Sequence, residues 1–474
     1  MSNENWHEMH SSEITGGTYS VNGFFITAHS LADLDPDDDE PLPYAIHIHA
    51  HEYVHYLHNI STVSGLHLFL IGLYLMGMLV ACTDENGHCV GDGALTDEER
   101  QWLSCLVAWI VALKGGQTWG DEGEPKLPPV KWTFEAPKRK TVQFKSAVHV
   151  TDMELASVTG KATDAKGNVF PFSIDIGYDL ITEGVAYEVD REIRRENGMA
   201  ERDLDQFTPP YPYVAYGELI EYLLERSSTP QERIQIGVIA LQSTSPGASF
   251  VECCEELKKG LASTLSDGTF LTPALREDVC EALFKQSLEP VLAALQGSQS
   301  QEWGGNDALA LFKEGFRLRI ANGLLEFSFL GRPMDKLAFH SLIATMVDCC
   351  VIQATPGEKV RHEWVGPGLV AKTERDAERI GFFQSSLHYT LLHVGPSGKL
   401  HPSNRLRSSA CPYSGGCQVE IDDGMPLECK TRPWTRYQDV PLGGKMCWYA
   451  CGVKMLGNHT GRNSRAGDTG GVTG

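Results

Sequence analysis

Residues 63–82 form a nearly unbroken apolar run. It contains Leu66, Leu68, Phe69, Leu70, Ile71, Leu73, Leu75, Met76, Leu79 and Val80, and no Asp, Glu, Lys or Arg. A helix of that composition has no polar face to turn to water, so it must be covered on all sides, by lipid or by a large core. Three glycines, an embedded His67, no flanking Lys/Arg cluster and no second convincing span predict the core. A chain of 474 residues can build one. Membrane association is therefore not expected.

Composition narrows the choice further. Hydrophobic residues make up 42% and charged residues 22%, the balance of a soluble globular protein. A net charge of -22 repels phosphate backbones, so nucleic acid is not an expected partner. The 13 cysteines are an odd number, and the first residues carry neither a basic segment nor an apolar one. Both features lead us to expect a reducing, cytoplasmic setting in which the cysteines are core residues, metal ligands or reactive thiols.

Along the chain, residues 18–27 alternate as a strand does, and 33–43 form an acidic, proline-containing loop. The apolar periods predict helices over 44–60, 63–82, 96–113 and 178–196. A Gly/Pro-rich loop is expected over 115–129 and strands over 141–150 and 169–176. From 213 to 354 the period is mostly helical, broken at Ser243-Thr-Ser-Pro-Gly, Ser266-Asp-Gly and Trp303-Gly-Gly-Asn. Residues 461–474 are Gly/Thr/Ser/Asn-rich and are expected to be disordered.

The helix over 44–60 carries His51-Glu52-Tyr53-Val54-His55. Histidines four residues apart project from one helical face, where their imidazoles can meet one small cation. Glu52 lies about 100° round the helix from His51, a position from which a carboxylate reaches a water on the metal without ligating the ion. A catalytic zinc site needs a third ligand, and a downstream helix carries Glu183-Gly-Val-Ala-Tyr-Glu188.

Taken together, the two motifs resemble the gluzincin group of zinc peptidases, in which a glutamate from a second helix completes the site. The resemblance implies a zincin-like fold, zinc ligated by His51, His55 and Glu183, and Glu52 as general base. The aminopeptidase branch places a glycine after that glutamate, as here. The CAAX-processing-type endopeptidases read Glu-x-x-Ala-Asp, and Tyr187 replaces the aspartate that would support a ligand histidine. Asp179 and Asp190, about one and two turns away, are the expected substitutes. His401-Pro-Ser-Asn-Arg405 resembles a His-Pro-Ser-x-x-Arg element of the same endopeptidases with one residue fewer, which implies an oxyanion role for His401 or Arg405; a simple turn is the other reading. Tyr211, Tyr213 and Tyr216 are further oxyanion candidates.

His47 and His58 share the arc of His51 and His55 and are rival ligands. A straight helix, however, cannot wrap three imidazoles from successive turns round one tetrahedral ion without strain, which favours Glu183. His47, His49 and His58 are then solvated or supporting groups, and His67 a core histidine.

The tail concentrates Cys411, Cys417, Cys429, Cys447 and Cys451 among glycines and prolines. Four of these, most plausibly Cys411, Cys417 and Cys429 with Cys447 or Cys451, could hold a structural Zn²⁺. Buried free thiols are the alternative and an iron-sulfur cluster a lesser one, because paired Cys-x-x-Cys knuckles are missing.

The expected architecture is α+β and helix-rich. It comprises a zincin-like catalytic core over 1–225, a helical region over 226–405 completing the cleft, a cysteine-rich module over 406–460 and a tail over 461–474. The expected function is zinc-dependent hydrolysis of a protein or peptide substrate. An endopeptidase is favoured because no Gly-x-Met-Glu-Asn-like element is present to anchor a substrate amine. Two other classes stay open: a catalytically silent zincin scaffold that binds or regulates through its tail, and a metal-dependent hydrolase of non-peptide substrates.

Overall fold

The computed structural model describes residues 17–28, 46–125, 131–145, 150–205, 208–260, 263–264, 270–271, 277–295, 304–353, 361–413, 427–438 and 447–457. The expected acidic loop, the tail over 461–474 and Cys417 lie outside these residues, as does the turn signal at Ser266.

The fold is α+β and dominated by helices. The first half contains α1 (Ile46–Ser61), α2 (Val63–Val80), α3 (Asp97–Lys114), α4 (Tyr178–Glu196) and the short α5 (Glu201–Leu204). The second contains α6 (Ala215–Leu224), α7 (Pro230–Leu241), α8 (Pro246–Lys258), α9 (Glu277–Leu295), α10 (Gly305–Ala321), α11 (Lys336–Ile343), α12 (Glu374–His393), α13 (Leu427–Thr431) and α14 (Trp448–Met455).

The strands are β1 (Gly17–Tyr19), β2 (Phe25–Ala28), β3 (Gly116–Trp119), β4 (Lys131–Phe134), β5 (Lys138–Lys145), β6 (Val150–Thr163) and β7 (Val169–Ile176). They are followed by β8 (Ser263–Thr264), β9 (Phe270–Leu271), β10 (Cys349–Gln353) and β11 (Arg361–Val365). One sheet has the order β1-β2-β10-β11, with β2 and β10 parallel and the other pairs antiparallel. In the second, wholly antiparallel sheet, β6 pairs β7 along one edge and β4 and β5 along the other, and β3 extends β7.

Local chemistry explains the main helices. Thr96 and Glu99 form a reciprocal capping box that starts α3, and Thr229 and Glu232 do the same for α7. Thr62 separates α1 from α2: its Oγ1 donates to the His58 carbonyl at 2.5 Å and accepts from Gly65 N at 3.1 Å. This junction requires glycine, since a Cβ at 65 would lie 2.0 Å from the Asn59 carbonyl oxygen.

The apolar run becomes α2. By length and composition this helix could cross a membrane, but 78% of it is buried inside the protein. It packs against α1, α3, α9 and α12. The buried core runs continuously from Phe24 near the start to Leu456 near the end.

The structure departs from the sequence expectations at the strands. Residues 18–27 are two strands and a turn rather than one strand. Asn22 and Phe24 adopt positive φ there, and the Asn59 side-chain oxygen of α1 accepts from Tyr19 Oη and Asn22 N, both at 2.7 Å. A long-range partner thus dictates the bend. β3 begins inside the expected Gly/Pro loop, and β6 and β10 fall in stretches where no strand was expected. β10 (Cys-Cys-Val-Ile-Gln) is a short apolar run, which periodicity alone cannot distinguish from a buried helix segment.

Candidate metal centre

The site forms where α1 packs on α4. The α-helical period places His51 and His55 on the face of α1 directed at α4, and Glu183 on the second turn of α4 facing back. His51 Nε2 and His55 Nε2 lie 3.0 Å apart, and Glu183 Oε2 is 3.5 Å from the first and 3.2 Å from the second.

These separations test whether a metal fits. Ligand atoms about 2.05 Å from a tetrahedral zinc are about 3.3 Å from one another, so the three spacings match three vertices of one such polyhedron. Glu183 Oε2 is buried and has no hydrogen bond of acceptable geometry, although two imidazole nitrogens stand beside it. Without a metal the two Nε2 atoms can share one proton, but the carboxylate oxygen beside them is left unpaired, and two imidazole nitrogens with one carboxylate oxygen is a donor set that a cation takes. Burial alone would raise the Glu183 pKa, but His55 and His51 hold the carboxyl well below the usual carboxylate range. Among the described residues, this is the group of three or more His, Cys, Asp or Glu side chains whose ligand atoms converge in this way.

Glu52 stands beside the trio and outside it. Its carboxylate accepts a hydrogen bond from the Tyr19 backbone N–H of β1. It also presses against Gly17, where a Cβ would come within 2.8 Å of Glu52 Cγ. Burial pushes its pKa up to about 7; His51 opposes the shift, while the negative Glu183 adds to it. A bound dication would move it down again.

The supporting groups are sorted by position. Asp190 is the acid that faces a ligand imidazole, with Oδ2 4.0 Å from His51 Nδ1, and Arg194 secures its other oxygen at 2.7 Å. Asp179 instead faces Lys114, at 4.0 Å. Tyr187 does not hold an imidazole: its hydroxyl bonds Asp205 and Thr208, and its ring lies tilted against that of Tyr213, with centroids 5.2 Å apart. His47 faces Asp190 at 3.9 Å, and His58 is fully buried against Glu326 at 3.2 Å. Neither rival histidine joins the trio.

Of the five oxyanion candidates, Tyr213 is the one whose ring meets that of His51. Its hydroxyl bonds Glu183 and its ring lies 5.9 Å from that of His51. Burial, with Glu183 and Glu52 nearby, pushes its pKa well up, so it remains a phenol able to donate. Tyr216 donates to the Arg233 carbonyl at 2.7 Å and is committed there. The placement of His401 runs against the expected catalytic role. It is exposed beyond the C-terminal end of α12, its N–H bonded to the His393 carbonyl and its ring over Gly395. The turn that carries it packs Gly398 on Ser104 of α3, ten residues or about 15 Å along that helix from Lys114, the α3 residue that reaches α4.

In the tail, Cys411 N bonds the Cys429 carbonyl and Arg436 donates to Cys429 Sγ at 3.2 Å. Among the described residues Cys411, Cys429 and Cys447 do not converge as a metal-ligand trio, and Cys417, which the expected structural site includes, lies outside them. Sequence reasoning missed Thr182, whose Oγ1 lies 3.1 Å from His55 Nδ1; its one signal was its position immediately before Glu183.

No protein-family model matches the chain, and neither the curated proteins nor the solved structures provide a match. Assignment therefore rests on the geometry of the site.

Glu183 is aimed by the residue after it. A Cβ at Gly184 would sit 2.1 Å from Cγ of the Tyr216 ring, so α4 can approach α6 this closely only with glycine there. Gly184→Ala should destabilise the protein by about 1–3 kcal/mol through overpacking. Urea unfolding checks this, and a change below about 0.5 kcal/mol would show that the contact is not tight.

Proposed function

We propose that this protein is a zinc-dependent metallopeptidase of zincin-like build, acting as an endopeptidase on protein or peptide substrates. The observation that carries the reading is the convergence of His51, His55 and Glu183 at tetrahedral spacing with the Glu52 carboxylate beside them.

His51, His55 and Glu183 would hold the ion, leaving one position for water or substrate. Bound there, zinc would supply Lewis acidity, lowering the pKa of a water and polarising a carbonyl. Glu52 takes the proton from the attacking water onto its carboxylate and returns it to the departing amine nitrogen. Its position supports this role, because the carboxylate stands beside the trio without belonging to it, within reach of a water there. Tyr213, kept neutral, would turn its one hydroxyl proton from Glu183 to the developing oxyanion. Asp190 steadies His51 from the far side of the ring.

Metal analysis with activity assays tests the reading. Wild-type protein should carry stoichiometric zinc and cleave a casein-type substrate in a chelator-sensitive manner, and Glu183→Ala should lose most of its zinc. Glu183→Ala retaining full zinc occupancy would remove Glu183 from the ligand set. Chelator-sensitive cleavage of an ester but not casein would move the assignment to a non-peptide hydrolase. Zinc without hydrolysis of either would favour the silent scaffold.

A further inference from the structure

Behind His55 lies a chain of close polar contacts that the reaction itself does not use. His55 Nε2 is the nitrogen that faces Glu183 and His51, so its lone pair must be free for a metal and the ring proton must sit on Nδ1. That Nδ1 is 3.1 Å from Thr182 Oγ1. A hydroxyl that accepts from His55 has one proton to give, and His58 Nδ1 waits 2.6 Å away. If His58 accepts at Nδ1, its own proton is on Nε2, which lies 3.2 Å from Glu326 Oε1, an electrostatic contact off the line of a good hydrogen bond.

An ionised carboxylate can only accept, which sets the direction of the whole chain. Arg319 keeps Glu326 ionised through paired bonds of 2.6 and 2.8 Å. Arg319 is itself held by the Gly323 carbonyl and Ser61 Oγ, each at 3.0 Å. His58, Glu326, Arg319 and Ser61 are all 0% exposed, so no water competes for these bonds.

We propose that the Arg319–Glu326 pair, acting through His58 and Thr182, is a positioning device that holds His55 as its Nδ1–H tautomer with the Nε2 lone pair turned toward Glu183 and His51. The proposal rests on the zinc-site reading. It assigns to Thr182 and the histidine-carboxylate pair behind it the support that a single acid would otherwise give a ligand histidine.

The test uses the full chain labelled with ¹⁵N at histidine. In the metal-free wild type, ring ¹⁵N spectra should place the proton of His55 on Nδ1 and that of His58 on Nε2; the opposite pattern for His58 would overturn the proposal. Thr182→Val removes the hydroxyl at nearly constant volume and should weaken zinc binding roughly 10- to 100-fold in chelator competition. It should also alter the visible spectrum of the cobalt-substituted protein, and Thr182→Ser should restore both. A valine variant with wild-type affinity and unchanged tautomers would likewise overturn the proposal. Wild-type protein that binds no zinc would dispose of the metallopeptidase reading, while the metal-free tautomer spectrum still judges the relay. If the valine variant fails to fold, that spectrum and the serine variant decide.

Discussion

Glu52→Gln is expected to bind zinc as the wild-type protein does and to hydrolyse substrate roughly 10²- to 10⁴-fold more slowly. The substitution is isosteric, and the amide oxygen can still accept the Tyr19 N–H that anchors the native carboxylate. The proposed metal ligands are untouched, because Glu52 lies outside the trio. What disappears is the ability to take a proton from water and to return it to the leaving nitrogen. Metal analysis alongside initial rates separates the two effects. Full activity in this variant would remove Glu52 from the mechanism, and loss of zinc would mean that the side chain supports binding instead.

Glu326→Ala should cost about 3–5 kcal/mol of folding stability, because it leaves the guanidinium of Arg319 at the centre of the protein without its counter-charge. Equilibrium urea unfolding is the measurement, and a loss below about 1 kcal/mol would imply that water reaches Arg319. Replacing both partners with apolar residues should cost much less, since no unpaired charge remains.

The pH dependence follows from the same pair. Burial alone would raise the Glu326 pKa, but Arg319, helped by the nearby His58, holds the carboxyl well below the usual range. The folded value thus lies below the unfolded one of about 4.3. Its contribution is fully present above that pH and is lost as the pH falls toward and through the folded value. Wild-type stability should therefore decline in acid with a component that is absent from Glu326→Ala.

The apolar character of residues 63–82 announced a helix covered on every side, and α2 is that helix. The 178–196 period marked α4 with the same bounds, because an amphipathic face repeats every 3.6 residues whatever lies opposite. The strands were less legible. The bend between β1 and β2 depends on Asn59, 37 residues beyond Asn22, and β10 pairs in parallel with β2 across most of the chain. No local pattern encodes partners at such separations.

At the site, spacing alone placed His51 and His55 on one face of α1 and Glu52 off that face, since helical geometry sets side-chain direction within an element. The third vertex and its supports were not fixed in that way. Glu183 entered by resemblance and three acids or tyrosines competed to support the histidines, whereas packing brought Asp190 to His51 and Thr182 to His55 across 127 residues. Packing likewise drew Tyr213 to Glu183 and left His401 on another part of the surface.

The sequence by itself determined which helices form and which way their side chains point, because backbone period and capping are short-range. Only the tertiary structure decided which faces meet. The acid closing the trio, the contact of Thr182 with His55 and the burial that raises Glu52 all depend on atoms brought together from distant parts of the chain.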